Sequence, residues 1–288
     1  MKERILKTAA LTGLILFLAV TASAQPSVAP GGVLNAASFA KDSSGHGTAV
    51  APGSLVSIFG TGLGTSQADA DTVPFSTSLG GVSVTFNGVP APLRDVIPAA
   101  SLVNAQLPFE VLAAGQTSGS VTMVVTVNNV PIAPMAVPVV PQAPGVFSIP
   151  SGVGTAVLVD ITQGSVAFGA VAGPANANIG LATHPIPRGD IAYFYATGLG
   201  AMTPAVPDGS GTCPAADGIC SAALPAVLIG NVSAQVFFAG QAPGFPGVYQ
   251  VNIQIPANAP TGDGISVQMV SADGTVTSAP NTAVISVQ

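Results

Sequence analysis

Four sequence blocks occur twice, in the same order. PGSLVSIFGTGLG (52–64) returns as RGDIAYFYATGLG (188–200), and VSVTFNGVPAPL (82–93) returns as AVLIGNVSAQV (226–236). LVNAQLPFEV (102–111) returns as YQVNIQIPANA (249–259), and VTMVVTVNNVPIAPMAV (121–137) as ISVQMVSADGTVTSAPNTAV (265–284). The offset widens from 136 to 148 along the chain, as unequal loops would cause. One matched block says little, whereas four in order describe a duplicated unit. Whatever the unit folds into, the chain must hold it twice.

Within each copy the hydrophobic period is two. Val82, Val84 and Phe86 alternate with Ser83 and Thr85, and Val103, Ala105 and Leu107 with Asn104 and Gln106. Val251, Ile253 and Ile255 alternate with Asn252 and Gln254, and Val121, Met123, Val125 and Val127 alternate before Asn128-Asn129. Such runs have one apolar and one polar face, the mark of half-buried strands. Asn87-Gly88 is a hairpin signal, because both residues tolerate positive φ. The 34 Gly and 26 Pro cut the chain into short segments, and 48% apolar residues are enough to fill cores. The reading is all-β: two tandem immunoglobulin-like (IPT/TIG-like) β-sandwich domains of about 105 residues of repeat each. The chain lacks Trp and a core cysteine pair, which argues against an antibody-type domain. The first domain is expected over 25–140 and the second over 141–288, divided near VPVVPQAPG (137–145). Residues 146–187 have no counterpart in the first copy and read as an N-terminal extension of the second, with an apolar run at TAVLVD (155–160).

The N-terminus reads differently. Lys2, Arg4 and Lys7 precede an apolar run of 12 residues, Ala9 to Val20, and Ala22-Ser23-Ala24 follows. That is the layout of a secretory signal peptide, 1–24, cut between Ala24 and Gln25. Beyond it three basic residues remain, Lys41, Arg94 and Arg188, against eleven acidic ones. Phosphate backbones and anionic membrane surfaces need a basic footprint, so neither is an expected partner. Cys213 and Cys220, the two cysteines, read as a disulfide closing a small loop in an exported protein.

The stretches GGVLNAASFA (31–40), APGSLVSIFGTGLG (51–64), LGGVSVTFNGVPAPL (79–93), VNAQLPFEV (103–111), YATGLGAMTP (195–204) and APGFPGVYQVNIQIP (242–256) resemble a family of exported acidobacterial proteins. This is the "Solibacter uncharacterised C-terminal domain" family, whose repeats are similar to IPT/TIG immunoglobulin-like domains. The resemblance implies a β fold and export; it implies no activity and no catalytic residue. GPANANIGLATHPIPRGD (173–190) is longer than the family's usual stretch before its Arg-Gly-Asp.

Motifs with chemical potential are few. Gly60, Gly62 and Gly64 could bind phosphate only if their amides converged, ideally at a helix N-terminus, and Gly198 and Gly200 repeat the same turn in the second copy. No P-loop Lys-Ser/Thr follows, so these glycines read as structural turns needing positive φ. Arg188-Gly189-Asp190 spells an adhesion tripeptide but aligns with Pro52-Gly53-Ser54, a turn entering a strand. Asp69 and Asp71 offer two carboxylates for Ca²⁺, too few alone. His46 and His184 lie in loops without a nucleophile elbow, and a hydrolase would need His184 joined to Asp190 or Asp160. Glu110 has no carboxylate partner nearby in sequence, and Asn231 matches a glycosylation acceptor at a hairpin position. No catalytic, cofactor or metal residue is assigned. The expectation is a non-enzymatic binding or adhesion module, its ligand a cell-surface protein or a polysaccharide. Carbohydrate recognition usually wants exposed aromatics, and a chain with no Trp and only Tyr193, Tyr195 and Tyr249 as tyrosines weakens the sugar option. The alternatives are a structural spacer of the envelope or matrix and a hydrolase accessory.

Overall fold

The computed structural model describes residues 25–279 and 282–288, so the expected leader, with Ala24 of its cleavage bond, lies outside the described residues. Among the described residues the helical content is a 3₁₀ turn, Pro98–Ala100, and no helix is long and apolar enough to cross a membrane.

Seven principal strands build the first copy: Ser27–Asn35, Leu55–Thr61, Val82–Phe86, Leu93–Ile97, Leu102–Gln106, Gly119–Val127 and Met135–Val139. Taken in chain order, the first, second, fifth and fourth form one sheet, and the third, sixth and seventh form the other. That partition is the immunoglobulin constant-type sandwich. The second copy repeats it with Gly145–Val146, Ile191–Thr197, Ala226–Ile229, Val232–Gln241, Tyr249–Gln254, Gly262–Val270 and Ala283–Val287. Ile191–Thr197 lies between Gly145–Val146 and Tyr249–Gln254, and Ala226–Ile229 beside Gly262–Val270, matching the pairings of the first copy. The fold is therefore two immunoglobulin-like β-sandwiches in tandem. Each has its own core. Ile58, Phe86, Leu93, Leu107 and Met123 are fully buried in one, and Leu158, Phe194, Ile229 and Tyr249 in the other. Each such side chain contributes about 1.5–3 kcal/mol on leaving water.

The segment 146–187 adds short strands to the second sandwich. Leu158–Asp160 pairs with Ile191–Thr197, and Gly154–Ala156 joins Ala283–Val287 in parallel. TAVLVD is thus split between the two sheets of the second sandwich.

The Thr-Gly-Leu-Gly turns differ between copies in a way the repeat does not announce. Gly62, Gly198 and Gly200 have φ of 63°, 85° and 75°, but Gly60 and Gly64 lie outside the left-handed region. These two glycines are required for close approach and not for φ. A Cβ on Gly60 would meet the Ser27 carbonyl oxygen at 2.1 Å, and one on Gly64 would meet Val96 Cγ1 at 2.5 Å.

Candidate functional site

The polar faces of the first sandwich do not look out on water. Ser57 and Asp95 are 1% and 2% exposed and Gln106 is fully buried. On the strand pair Leu55–Thr61 and Leu102–Gln106, the apolar positions Val56, Ile58, Val103 and Ala105 face the core. The alternate positions Leu55, Ser57, Leu102 and Asn104 face the second sandwich. The two copies are joined there by backbone and side-chain hydrogen bonds. The Leu55 amide donates to Thr197 Oγ1 (2.9 Å), and Thr197 donates to the Gly247 carbonyl (2.7 Å). The Gly209 amide donates to Gln106 Oε1 (2.6 Å), and Asn35 Nδ2 donates to the Ala143 carbonyl (2.9 Å).

Beside these bonds the two sandwiches leave a cleft of about 390 Å³. Its floor is a chain of polar groups. Ser57 Oγ donates to Asn104 Oδ1 (2.5 Å), Asn104 Nδ2 donates to Asp95 Oδ1 (2.7 Å), and Arg94 Nη1 donates to Asp95 Oδ2. Arg94 reaches this place because of a β-bulge. The register of Leu93–Ile97 against Leu102–Gln106 skips one residue between Leu93 and Asp95. The extra residue is Arg94, and the skip brings Asp95 opposite Asn104. Bulges commonly re-aim side chains in this way. Asp95 is buried and needs a countercharge; Arg94 supplies it while remaining 55% exposed.

The cleft walls include Phe39, Phe147, Tyr195 and Phe245. Tyr195 stands on Ile191–Thr197, with Tyr193 at 5.4 Å and Phe245 at 5.9 Å between ring centroids. Burial, with Tyr193 beside it, raises the Tyr195 phenol above its ordinary value. The third tyrosine, Tyr249, is fully buried, and its hydroxyl donates to the Gly200 carbonyl. An open cleft, mostly apolar with a few convergent polar groups, is the ordinary form of a ligand site.

The other residues singled out in the sequence fall elsewhere. His46 lies in a turn where Asp42 Oδ1 accepts its amide (3.0 Å). Asp69 is paired in a short strand and accepts from Gln67 Nε2 (3.3 Å). Asn231 follows Gly230 in a hairpin at φ 68°. Among the described residues no group of three or more His, Cys, Asp or Glu gathers to hold a metal. The disulfide Cys213–Cys220 is formed. His184 Nδ1 contacts the Pro185 carbonyl (2.8 Å) and has no hydrogen bond to Asp160 or Asp190. Those two carboxylates are bridged by Ser165 Oγ at 2.6 Å to each. One hydroxyl proton serves one carboxylate at a time, and burial, with Asp160 alongside, raises Asp190. Asp190 therefore faces Ser165, and the Arg-Gly-Asp turn is anchored inward at its last residue.

Glu110, without a carboxylate partner nearby in sequence, stands beside Asp208 of the second copy, far along the chain. Asp208 Oδ1 accepts the Phe109 amide (3.0 Å). Burial pushes Asp208 up to about 6, opposed by that amide and reinforced by the charge of Glu110. The pair lies where the copies dock and does not line the cleft.

No family model and no curated protein matches the chain. Among solved structures, the chain is similar to the D00-D0 domain of intimin at 12% identity, covering 84% of this chain and 96% of that one, with a TM-score of 0.19. It is similar to the I9-I11 tandem of titin at 10% identity, covering 82% of this chain and 61% of that one, with a TM-score of 0.17. Superpositions at such scores carry no argument, and the assignment of the class, tandem immunoglobulin-like sandwiches, rests on strand order and pairing.

Proposed function

We propose that the chain is an exported, non-enzymatic binding module. Its two sandwiches, 25–140 and 141–288, hold a ligand in the cleft between them. The observation that carries this reading is the polar floor, where buried Ser57, half-buried Asn104 and half-exposed Arg94 line the cleft beside aromatic walls and are tied together through buried Asp95 behind them. Buried polar groups on a sheet face cost stability unless paired, and here they are paired around an opening. The disulfide supports an oxidising location. Together with the resemblance to exported acidobacterial proteins and the leader-like N-terminus, it favours life outside the cytoplasm.

The test is a pull-down from native envelope and exopolysaccharide with the chain from Gln25 onward. Retention of a ligand by the native chain and its loss in Ser151→Trp, which fills the cleft mouth, is the expected result. Retention that Ser151→Trp leaves unchanged, or no retention at all, overturns the reading. A second reading, a self-associating spacer, is favoured by Val166 and Phe168, which stand 72% and 58% exposed on the extension. A strict monomer at all concentrations in size-exclusion chromatography removes it.

A further inference from the structure

We infer that the cleft binds a neutral saccharide, one or two rings at a time, as part of a longer glycan. The inference rests on the binding-module reading and specifies its ligand.

The strands that wall the cleft present no free edge to it. Part of the cleft wall is sheet face, with Leu55, Ser57, Leu102, Asn104 and Tyr195, and the rest is turn, with Phe39, Ser151 and Phe245. Leu55–Thr61 is already paired on both sides, with Ser27–Asn35 and Leu102–Gln106, and Ile191–Thr197 likewise with Tyr249–Gln254 and the short strands before it. A peptide recognised by strand addition needs a free strand edge, and these two strands offer none. Recognition has to come from side chains.

Those side chains suit a polyol with an apolar face. Tyr195 and Phe245 are tilted at 55° to each other, and Phe245 is 54% exposed on its turn. The C–H face of a pyranose packs on such rings while its hydroxyls remain at the rim. Ser57, Asn104 and Arg94 line the same cleft. Arg94 spends Nη1 on Asp95, the one hydrogen-bond partner of its guanidinium among the described residues. A guanidinium has five N–H groups in a plane, so donors remain to meet vicinal hydroxyls.

The charge balance selects a neutral sugar over an acidic one. Arg94 is answered by Asp95, so the floor carries no net charge. Beyond residue 24 the chain holds eleven acidic and three basic residues, and a polyanion approaching it is repelled. A volume of about 390 Å³ admits a ring or two and excludes a folded partner.

Calorimetry with the chain from Gln25 onward tests this. The probes are cellohexaose, laminarihexaose and mannohexaose, with oligogalacturonate as the acidic control. At least one neutral hexasaccharide binds, and oligogalacturonate binds more than tenfold more weakly. Phe245→Ala and Tyr195→Ala each weaken binding about tenfold, and Ser151→Trp abolishes it. Phe245 and Ser151 are exposed, so these variants keep the native circular dichroism and melting, and a loss of binding in them is a loss at the site. Preference for oligogalacturonate overturns neutrality, and saccharide binding unchanged by Ser151→Trp overturns the cleft as its site. If no saccharide binds but the pull-down still yields a ligand that Ser151→Trp removes, the saccharide inference fails and the binding-module reading survives. If neither assay yields a ligand, both fail.

Discussion

The first sandwich breaks the chain between its third and fourth strands at Val89-Pro90-Ala91-Pro92, whereas the second runs unbroken from Val232 to Gln241. Proline brings no N–H to a ladder, and Gln106 instead donates to the Pro92 carbonyl (2.8 Å) as the first chain changes sheets. In the second copy one strand serves both sheets, pairing first with Ala226–Ile229 and then with Tyr249–Gln254. Both fourth strands carry a bulge at the same register, facing Ala105 in one copy and Ile253 in the other. The extra residue is Arg94 in the first and Phe237 in the second, and the next is Asp95 in the first and Phe238 in the second. The copies thus share a device for aiming a side chain outward. They differ in its chemistry, and the first copy's version floors the cleft.

The turns offer the strongest test of that comparison. Gly62 and Gly198 are equivalent and both have positive φ. A Cβ at Gly198 would stand 1.9 Å from the Ala143 carbonyl oxygen, while one at Gly62 would have Pro26 Cα at 3.3 Å as its nearest neighbour. Gly198→Ala is expected to cost about 3 kcal/mol or more, from strain plus backbone collision. Gly62→Ala is expected to cost about 1 kcal/mol, from φ alone. Equal losses in denaturant melts would show that the neighbouring chain gives way at Gly198.

The disulfide belongs to the second copy alone. Its cysteines are 7 residues apart, so it closes a short loop. Cys213→Ser with Cys220→Ser is expected to lower stability by about 2.5 kcal/mol. The loss should fall on the second sandwich; amide exchange that opens the first core instead would contradict the division into two cores.

Asn104 and Asn252 occupy matching positions and do unlike work. Asn104 joins Ser57 to Asp95, whereas Asn252 Oδ1 accepts only from Gln250 Nε2 (2.8 Å) among its side-chain contacts. Asn104→Ala is expected to cost about 2 kcal/mol, because it leaves a buried carboxylate short of a donor. Asn252→Ala is expected to stay within about 0.5 kcal/mol of native. Chemical denaturation of the two variants side by side decides whether the polar floor is as tightly bound as its geometry implies.

The duplication, the strands and the hairpin at Asn87-Gly88 were legible because period-two patterning and turn residues are local signals. The cleft was not. Asn104 and Gln106 alternate with apolar residues just as solvent-facing positions do, yet beside the second copy Gln106 is fully buried and Asn104 half-buried. A trace was present in their chemistry: Ser57, Asn104, Gln106 and Asn252 are neutral hydrogen-bonding residues where a free surface would carry Lys or Glu. The bulge that selects Arg94 left no mark in sequence. In sequence Gly60 and Gly64 read as positive-φ turn residues, yet what they avoid is collision with Ser27 and Val96, which follows from long-range packing.

The smallest expected effect concerns how the copies meet. Asp208 of the second copy titrates near 6 in the docked state against an ordinary value of 3.8, held up by burial and by Glu110 of the first. The docked state therefore binds a proton more tightly than the undocked one. Its contribution to docking is complete below about 3.8 and is lost as the pH rises through about 6. At neutral pH, Asp208→Asn removes the charge and keeps an oxygen for the Phe109 amide. Its melting midpoint at pH 7 is expected to rise by on the order of 2 °C, and the gain should shrink toward zero near pH 3.5. Protection of the Phe109 and Gly209 amides, whose hydrogen bonds cross between the copies, relative to their intrinsic exchange rates should rise as the pH falls through the same window. A gain that is equal at both pH values would assign the effect to packing, and the carboxylate pair would then play no part in holding the two sandwiches together.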